Sequence, residues 1–102
     1  MVDGRTRGTV STMNIDYTVR IWREGEQFIA HAMPLDVSSS GPTPDAARQA
    51  VDEAVRGFVA TCADMGTLEE VLEESGYRRT GRNDWESPRW IVVERREVAI
   101  GG

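Results

Sequence analysis

The sequence predicts a small α/β domain with the element order β-β-β-α-α-β. Three observations carry this prediction: an alternating run at Ile15 to Trp22, a helical apolar stripe after Pro44, and a valine-rich stretch near the C-terminus. A chain of 102 residues that is 39% hydrophobic suits one compact domain. We therefore expect a flexible N-terminal leader over residues 1–14 and a single domain over residues 15–102.

The first half of the domain predicts an antiparallel three-stranded sheet. Ile15 to Trp22 alternates apolar and polar side chains, which is typical of a half-buried strand. Arg23 to Glu26 is a turn, and Gln27 to Met33 resumes an extended pattern with alanines and Phe28 on one face. Leu35 to Ser39 is a short third strand, which Gly41 and Pro42 terminate.

One long helix is expected to cover this sheet. Thr43 has the side-chain oxygen of an N-cap, Pro44 suits the first helical position, and Asp45 complements the positive end of the helix dipole. Apolar residues then recur at spacings of three and four and form one stripe, which runs to about Met65. The stripe consists of Ala47, Ala50, Val51, Ala54, Val55, Phe58, Val59 and Cys62.

A second short helix and a last strand complete the prediction. Gly66 ends the first helix, Thr67 and Glu70 form a capping box, and Gly76 is a typical C-cap. Residues 78–88 are predicted as a polar loop. The runs Trp90 to Val93 and Val98 to Ile100 indicate a C-terminal strand, interrupted by a charged bulge or exposed edge.

Composition narrows the classes of protein. The longest uninterrupted apolar run, Trp90 to Val93, is far shorter than the roughly 20 residues of a membrane span, and the N-terminus has no apolar signal-peptide core. A cytoplasmic protein is expected. Cys62 is the single cysteine, so an internal disulfide is impossible, and its helical apolar position predicts a buried thiol.

The chain from Tyr17 to about Tyr77 carries short motifs that resemble the HicB family of antitoxins. They are Phe28-Ile29-Ala30, then Pro34-Leu35-Asp36 where the family usually has Pro-Glu-Leu, and then Gly41-Pro42-Thr43-Pro44-Asp45-Ala46-Ala47 at the start of the long helix. Ala46 stands where the family usually has a glutamate.

The resemblance implies a partly degenerate ribonuclease-H-like fold, with an antiparallel three-stranded sheet plus a C-terminal strand covered by the long helix. It also implies binding and neutralisation of a small basic HicA-type toxin that cleaves messenger RNA. No C-terminal DNA-binding segment is visible, and no cofactor is expected. The chain has a net charge of −5, and eight of its acidic residues lie between Asp45 and Glu74. The expected toxin contact is therefore placed on Asp52, Glu53, Glu69, Glu70, Glu73 and Glu74.

The charged last strand would leave a sheet edge exposed. Pairing of that edge with a second copy would hide its backbone groups, so a homodimer is expected.

Enzymatic alternatives receive little support from the residues. A nucleophilic pair would need Cys62 and His31, which lie on different elements with no third orienting group. The same pair is too small for a structural zinc site. An acidic metal cluster of the ribonuclease H type would require Asp16, Asp36, Asp45 and Asp52. Asp16 falls on the polar face of its strand, and the helix dipole accounts for Asp45. The serine-rich segment before Thr43 lacks the phosphate-loop spacing. No catalytic, metal or cofactor-binding residue is assigned.

The segment from Tyr77 to Arg96 leaves a second function open. It interleaves arginine with aromatic residues, a composition typical of single-stranded nucleic-acid binding. The residues that would bind are Arg78, Arg79, Arg82 and Trp85. A structural interpretation fits as well, in which the arginines pair with the acidic second helix and the tryptophans anchor the loop to the core.

Overall fold

Two helices and two three-stranded sheets make up the computed structural model, which describes residues 13–101. Most of the predicted leader, residues 1–12, lies outside the described residues. The elements, in chain order, are β1 (Asn14–Ile15), β2 (Thr18–Glu24), β3 (Gln27–Met33), β4 (Val37–Gly41), α1 (Pro44–Asp64), α2 (Leu68–Glu74), β5 (Arg78–Arg79) and β6 (Asp84–Glu86).

The central sheet is the antiparallel meander that the sequence predicts, in the order β2-β3-β4. β2 and β3 are paired along their whole lengths, from Thr18 opposite Met33 to Glu24 opposite Gln27. A two-residue turn joins them, and Gly25 adopts there a φ of 62°, which glycine reaches without a steric penalty. The predicted hairpin is confirmed, but its first strand runs from Thr18 to Glu24 and not from Ile15 to Trp22. Ile15 pairs instead with Trp85 in the other sheet.

The third strand begins two residues later than predicted. Leu35 and Asp36 belong to the turn between β3 and β4, where the Asp36 N–H donates to the Ala32 carbonyl oxygen at 2.8 Å. Asp36 has a φ of 63°, a conformation that aspartate tolerates better than most residues. Leu35 is buried in the core, so its apolar character reports burial in a turn and not a strand position.

Helix α1 begins as predicted. Thr43 is extended, and its Oγ1 accepts a hydrogen bond at 3.0 Å from the Ala46 N–H, while Pro44 occupies the first turn. Gly41 ends the preceding strand against this first turn. A β-carbon at Gly41 would lie 2.8 Å from the Ala46 Cβ and 2.8 Å from the Ala47 nitrogen, so the chain requires a glycine there.

Small side chains lie between α1 and the central sheet. Ala30 and Ala32 on β3 and Ala47 on α1 are all 0% exposed. Alternate residues of a strand point to opposite faces, so Ala30 and Ala32 both lie on the face of β3 that packs on the helix. Val51 and Val55 continue the buried stripe, and Cys62 is buried further along the helix as expected.

Helix α2 is present, but its N-terminal capping box is not. The Thr67 side chain makes no capping bond and instead donates to the Cys62 carbonyl oxygen at 3.4 Å, which ties the short helix to the end of α1. Gly66 and Gly76 follow the two helices with φ values of 75° and 98°, as their predicted roles require. Within residues 13–101, neither helix combines the length and the apolar character that crossing a membrane requires.

The polar loop predicted after α2 contains two short strands. β5 and β6 are antiparallel, and β6 pairs in parallel with β1 to give the order β1-β6-β5. These polar residues form strands and not a loop because Trp85, which is only 4% exposed, holds the hairpin against the core. Asn14 pairs with Asp84 and is therefore part of the sheet, whereas the predicted domain began at residue 15.

The predicted C-terminal strand is wrong. Residues 87–101 contain no helix or strand, and Ile91 and Val93 are 84% and 80% exposed. High β-propensity alone does not form a strand, because backbone groups need a neighbouring strand and side chains need a surface to pack against. Both predicted helices are present: the long α1 packs on the central sheet, and the short α2 packs against α1.

The close approach at Gly41 can be tested against a glycine in open space. Gly41→Ala should destabilise the domain by about 1–3 kcal/mol, since the added methyl meets backbone that cannot yield. Gly57→Ala is the matched control, because Gly57 lies in α1 with no neighbouring atom within 4 Å of an added β-carbon. The control should stabilise by about 0.5–1 kcal/mol. Urea unfolding measures both, and equal effects would contradict the tight packing described here.

Candidate protein-binding surface

Helix α2 presents an acidic surface to solvent. Leu68 and Leu72 are buried against the domain and Val71 is half-buried, which fixes the orientation of the helix. The four glutamates on its other side are exposed: Glu69, Glu70, Glu73 and Glu74. We call these four residues the acidic surface. They lie together because residues three and four apart are neighbours on one side of a helix.

One of the four glutamates is already paired. Glu69 accepts from the Arg79 guanidinium at 2.8 Å, and this ion pair links α2 to the β5-β6 hairpin. For Glu70, Glu73 and Glu74, the structure records no ion pair with any residue between 13 and 101. Three carboxylates of the acidic surface are therefore available to a basic partner as far as the described residues are concerned.

The two acidic residues predicted on α1 differ from each other. Glu53 is exposed, whereas Asp52 is half-buried and accepts a hydrogen bond from the Tyr17 hydroxyl at 2.7 Å. Burial of the phenol, together with the Asp52 hydrogen bond and charge, raises the pKa of Tyr17 to about 12. Asp52 thus joins α1 to the start of β2, and Glu53 is the better placed of the two for a partner.

The basic residues predicted for nucleic-acid binding are largely engaged within the chain. Arg78 pairs with Glu86 at 2.8 Å, and the Arg79 guanidinium lies 4.7 Å from the centre of the Trp85 ring while it also binds Glu69. Arg82 is exposed. Trp85 is buried, so stacking on a base would require its departure from the core. The pairing of Arg79 with α2 is the contact that the structural interpretation anticipates.

Cys62 and His31 lie on opposite sides of the central sheet. Cys62 is buried on α1, while His31 alternates with Ala30 and Ala32 and points to the outer face. There the His31 Nδ1 accepts from the Arg20 Nε at 3.2 Å, and its Nε2 lies 2.6 Å from an Asp36 carboxylate oxygen. These contacts hold the β3-β4 turn, and the geometry does not bring the thiol and the imidazole together.

The four aspartates considered as a metal cluster have separate partners. Asp16 binds Ser87, Asp36 binds His31, Asp45 binds Arg48 and Asp52 binds Tyr17. In the part of the chain that the structure describes, no three His, Cys, Asp or Glu side chains are grouped so that they could hold a metal ion. Each of these carboxylates has a local structural role.

Sequence reasoning missed the contacts that bring residues 84–90 beside the first strand. The Asp16 carboxylate accepts from both the N–H and the hydroxyl of Ser87, and the Trp90 indole N–H donates to the Thr18 hydroxyl at 3.1 Å. Burial opposes the Asp16 charge, but the Ser87 hydrogen bonds outweigh burial and lower the pKa of Asp16. No local signal could have revealed these pairs, which are separated by 71 and 72 residues.

Comparison with known proteins finds no matching family model, no matching curated protein and no matching solved structure.

The Tyr17 to Asp52 hydrogen bond predicts a loss of stability in alkali. The pKa of Tyr17 is about 12 in the folded chain against an ordinary 10.0, so its contribution is complete below pH 10 and lost as the pH rises towards 12. Tyr17→Phe should therefore flatten the fall in unfolding free energy over this interval. Asp52→Asn, which keeps an acceptor but removes the charge, should give an intermediate slope. Urea unfolding at a series of pH values measures this, and an unchanged slope in Tyr17→Phe would contradict it.

Proposed function

We propose that this chain is a HicB-like antitoxin, which binds and neutralises a small basic HicA-type toxin that cleaves messenger RNA. The observation that carries the proposal is the acidic surface of α2, which is exposed on a domain in which a three-stranded antiparallel meander precedes the long helix. The proposal assigns no catalytic residue to the chain. It also implies a cytoplasmic location, since the toxin's substrate is messenger RNA.

The packing of the motif residues supports the proposal. Gly41 permits the close approach of β4 to α1, and Thr43 caps the helix. Leu35, in the turn that corresponds to the family's Pro-Glu-Leu, is buried in the core. These residues shape the junction of sheet and helix, so the resemblance rests on positions with structural roles. We extend the proposal to a partly degenerate ribonuclease-H-like fold for this sheet and helix.

Charge supplies a mechanism for neutralisation. A ribonuclease that approaches RNA phosphates needs a basic surface, and carboxylates offer that surface an alternative anion. Glu70, Glu73 and Glu74 project from one short helix and make no ion pair with another residue among 13–101. Attraction of this kind accelerates association more than it increases affinity, and added salt weakens it. Apolar contacts around the charges would then hold the toxin away from RNA.

Nucleic-acid binding by residues 77–96 is the second candidate, and it has less support. Arg78 and Arg79 are engaged by Glu86 and Glu69, and Trp85 is buried. Binding of RNA would have to break these ion pairs and compete with a net charge of −5. We therefore retain RNA binding as an outcome of the experiment below and not as a parallel proposal.

Charge reversal on α2 provides the test. The first step is to read the neighbouring reading frame for a small basic protein, which is the probe that the proposal predicts. That protein is produced together with this chain and assayed for RNA cleavage alone and in the complex. The wild-type chain should form a complex in which cleavage is abolished. Glu73→Arg with Glu74→Arg should slow association by about tenfold at low salt and reduce its salt dependence, because it replaces attraction by repulsion.

A matched variant separates position from net charge. Glu24→Arg with Glu26→Arg makes the same change in charge at the β2-β3 turn, where both glutamates are exposed. It should leave association close to that of the wild type. Equal slowing by the two variants would contradict a role for the acidic surface, and absence of an adjacent small basic ribonuclease would contradict the proposed function. An RNA shift by this chain alone that requires Arg78, Arg79 and Arg82 would favour the second candidate.

A further inference from the structure

The segment from Ile91 to Ile100, which we call the C-terminal segment, is apolar and yet exposed. Its valines and isoleucines are 62–91% exposed, with the lowest value at Val92 and the highest at Ile100. Among the described residues, the backbone of this segment makes no hydrogen bond with other backbone groups. Unpaired backbone beside exposed β-branched side chains is a template for pairing with another strand.

The C-terminal segment reads almost identically in both directions. Its sequence is Ile-Val-Val-Glu-Arg-Arg-Glu-Val-Ala-Ile, with charged residues in the centre and apolar residues on both sides. Apart from one valine opposite a glutamate on each strand, two antiparallel copies of such a sequence can place apolar residues opposite apolar residues and charged residues opposite charged residues. A second copy of this chain is therefore a strand partner of matching chemistry.

We propose that the C-terminal segments of two copies pair as an antiparallel ribbon, with Arg95 opposite Arg95 of the second copy. A two-fold axis perpendicular to a ribbon requires one residue to face its own counterpart, because facing residues share a side of the ribbon. Residue numbers that face each other then sum to 190. In this proposal, the paired C-terminal segments form the interface of the homodimer that is expected from the sequence.

In this register every even-numbered side chain of the segment faces a side chain of matching chemistry on the second copy, apolar opposite apolar or acidic opposite basic. Val92 faces Val98 of the second copy, and Glu94 faces the second copy's Arg96, so that symmetry creates two Glu94 to Arg96 contacts. Trp90, just before the segment, faces Ile100. Within one copy, Glu94 and Arg96 already lie on the same side, with Arg96 Nη1 donating to a Glu94 carboxylate oxygen at 3.2 Å. Opposite charges in facing positions stabilise a strand pair.

The neighbouring register is less favourable. With Arg96 opposite its own counterpart, Glu94 would face Val98, and Ile100 would move away from Trp90. Both registers place one carboxylate opposite an apolar side chain on each strand: Glu97 faces Val93 in the first register, and Glu94 faces Val98 in the second, where Arg95 faces Glu97 in return. The even-numbered residues share a face in both registers, but only the first register sets Trp90 opposite Ile100 and Val92 opposite Val98. The first register therefore matches the face that carries the larger apolar residues, and this gives the ribbon a surface that can pack.

The outer face of the central sheet provides a surface for that packing. A two-stranded ribbon alone is marginally stable in water and requires a further surface. Trp90 is held near Thr18, and a groove lined by Thr18, Arg20, Met33, Trp90 and Val93 opens where the segment leaves the domain. The interface is small, so we expect a dimer that dissociates on dilution, with a dissociation constant of about micromolar order.

Light scattering over a dilution series of the full chain tests the proposal. Glu94→Arg should weaken the dimer by about tenfold, since it turns two attractive contacts into repulsive ones. Glu97→Arg makes the same change in charge but faces Val93 of the second copy in the proposed register, so it should have a much smaller effect. A monomer at all concentrations would overturn the dimer, and a larger effect of Glu97→Arg would overturn the register.

Mixing two variants distinguishes contacts between copies from contacts within one copy. Glu94→Arg makes positions 94 and 96 both basic, and Arg96→Glu makes both acidic. Each variant alone should dimerise poorly, whereas an equimolar mixture should recover dimers that contain one copy of each. A mixture that stays monomeric while wild-type protein dimerises would overturn the proposed pairing. The variants alter exposed side chains, and circular dichroism can verify that the domain remains folded.

Discussion

The close approach of helix α1 to strands β3 and β4 is the constraint on which the rest of the structure depends. Ala30, Ala32 and Ala47 are completely buried, and Gly41 lies against the first turn of the helix. Such short side chains remove little apolar area from water themselves, so their value is geometric: they allow the helix backbone near enough for Val51 and Val55 to be covered by the sheet. Larger residues at these positions would force the layers apart and expose the valines.

The positions of the charged surfaces follow from this packing. With α1 fixed across the sheet, the turn at Gly66 directs α2 so that Leu68 and Leu72 enter the same core and the glutamates remain outside. The Glu69 to Arg79 ion pair then connects α2 to the β5-β6 hairpin, which Trp85 anchors. The acidic surface and the exposed C-terminal segment belong to different parts of the chain. Binding of a basic partner and self-association can therefore be altered by separate substitutions.

Sequence patterns predict the elements whose structure depends on neighbouring residues. They do not predict the elements whose structure depends on contacts between residues far apart in the sequence. Alternation gave the β2-β3 hairpin, and Thr43 and Pro44 gave the start of α1, because these signals act within a few residues. Asp84-Trp85-Glu86 was missed as a strand because its partner, Asn14-Ile15, is about seventy residues away. Propensity alone favours a strand for the valines near the C-terminus, although no described residue pairs with them. The four glutamates of the acidic surface are local in sequence, whereas the engagement of Arg78, Arg79 and Trp85 is visible only in the three-dimensional structure.

Hydrogen exchange of the backbone amides under native conditions tests most directly the claim that this packing stabilises the domain. The account predicts that the amides of β3 and of the inward side of α1 exchange slowest, at the free energy of global unfolding. Amides of the β5-β6 hairpin should exchange faster, because that hairpin is short and is held mainly by Trp85 and ion pairs. Exchange of the β3 amides as fast as those of the hairpin would contradict the account.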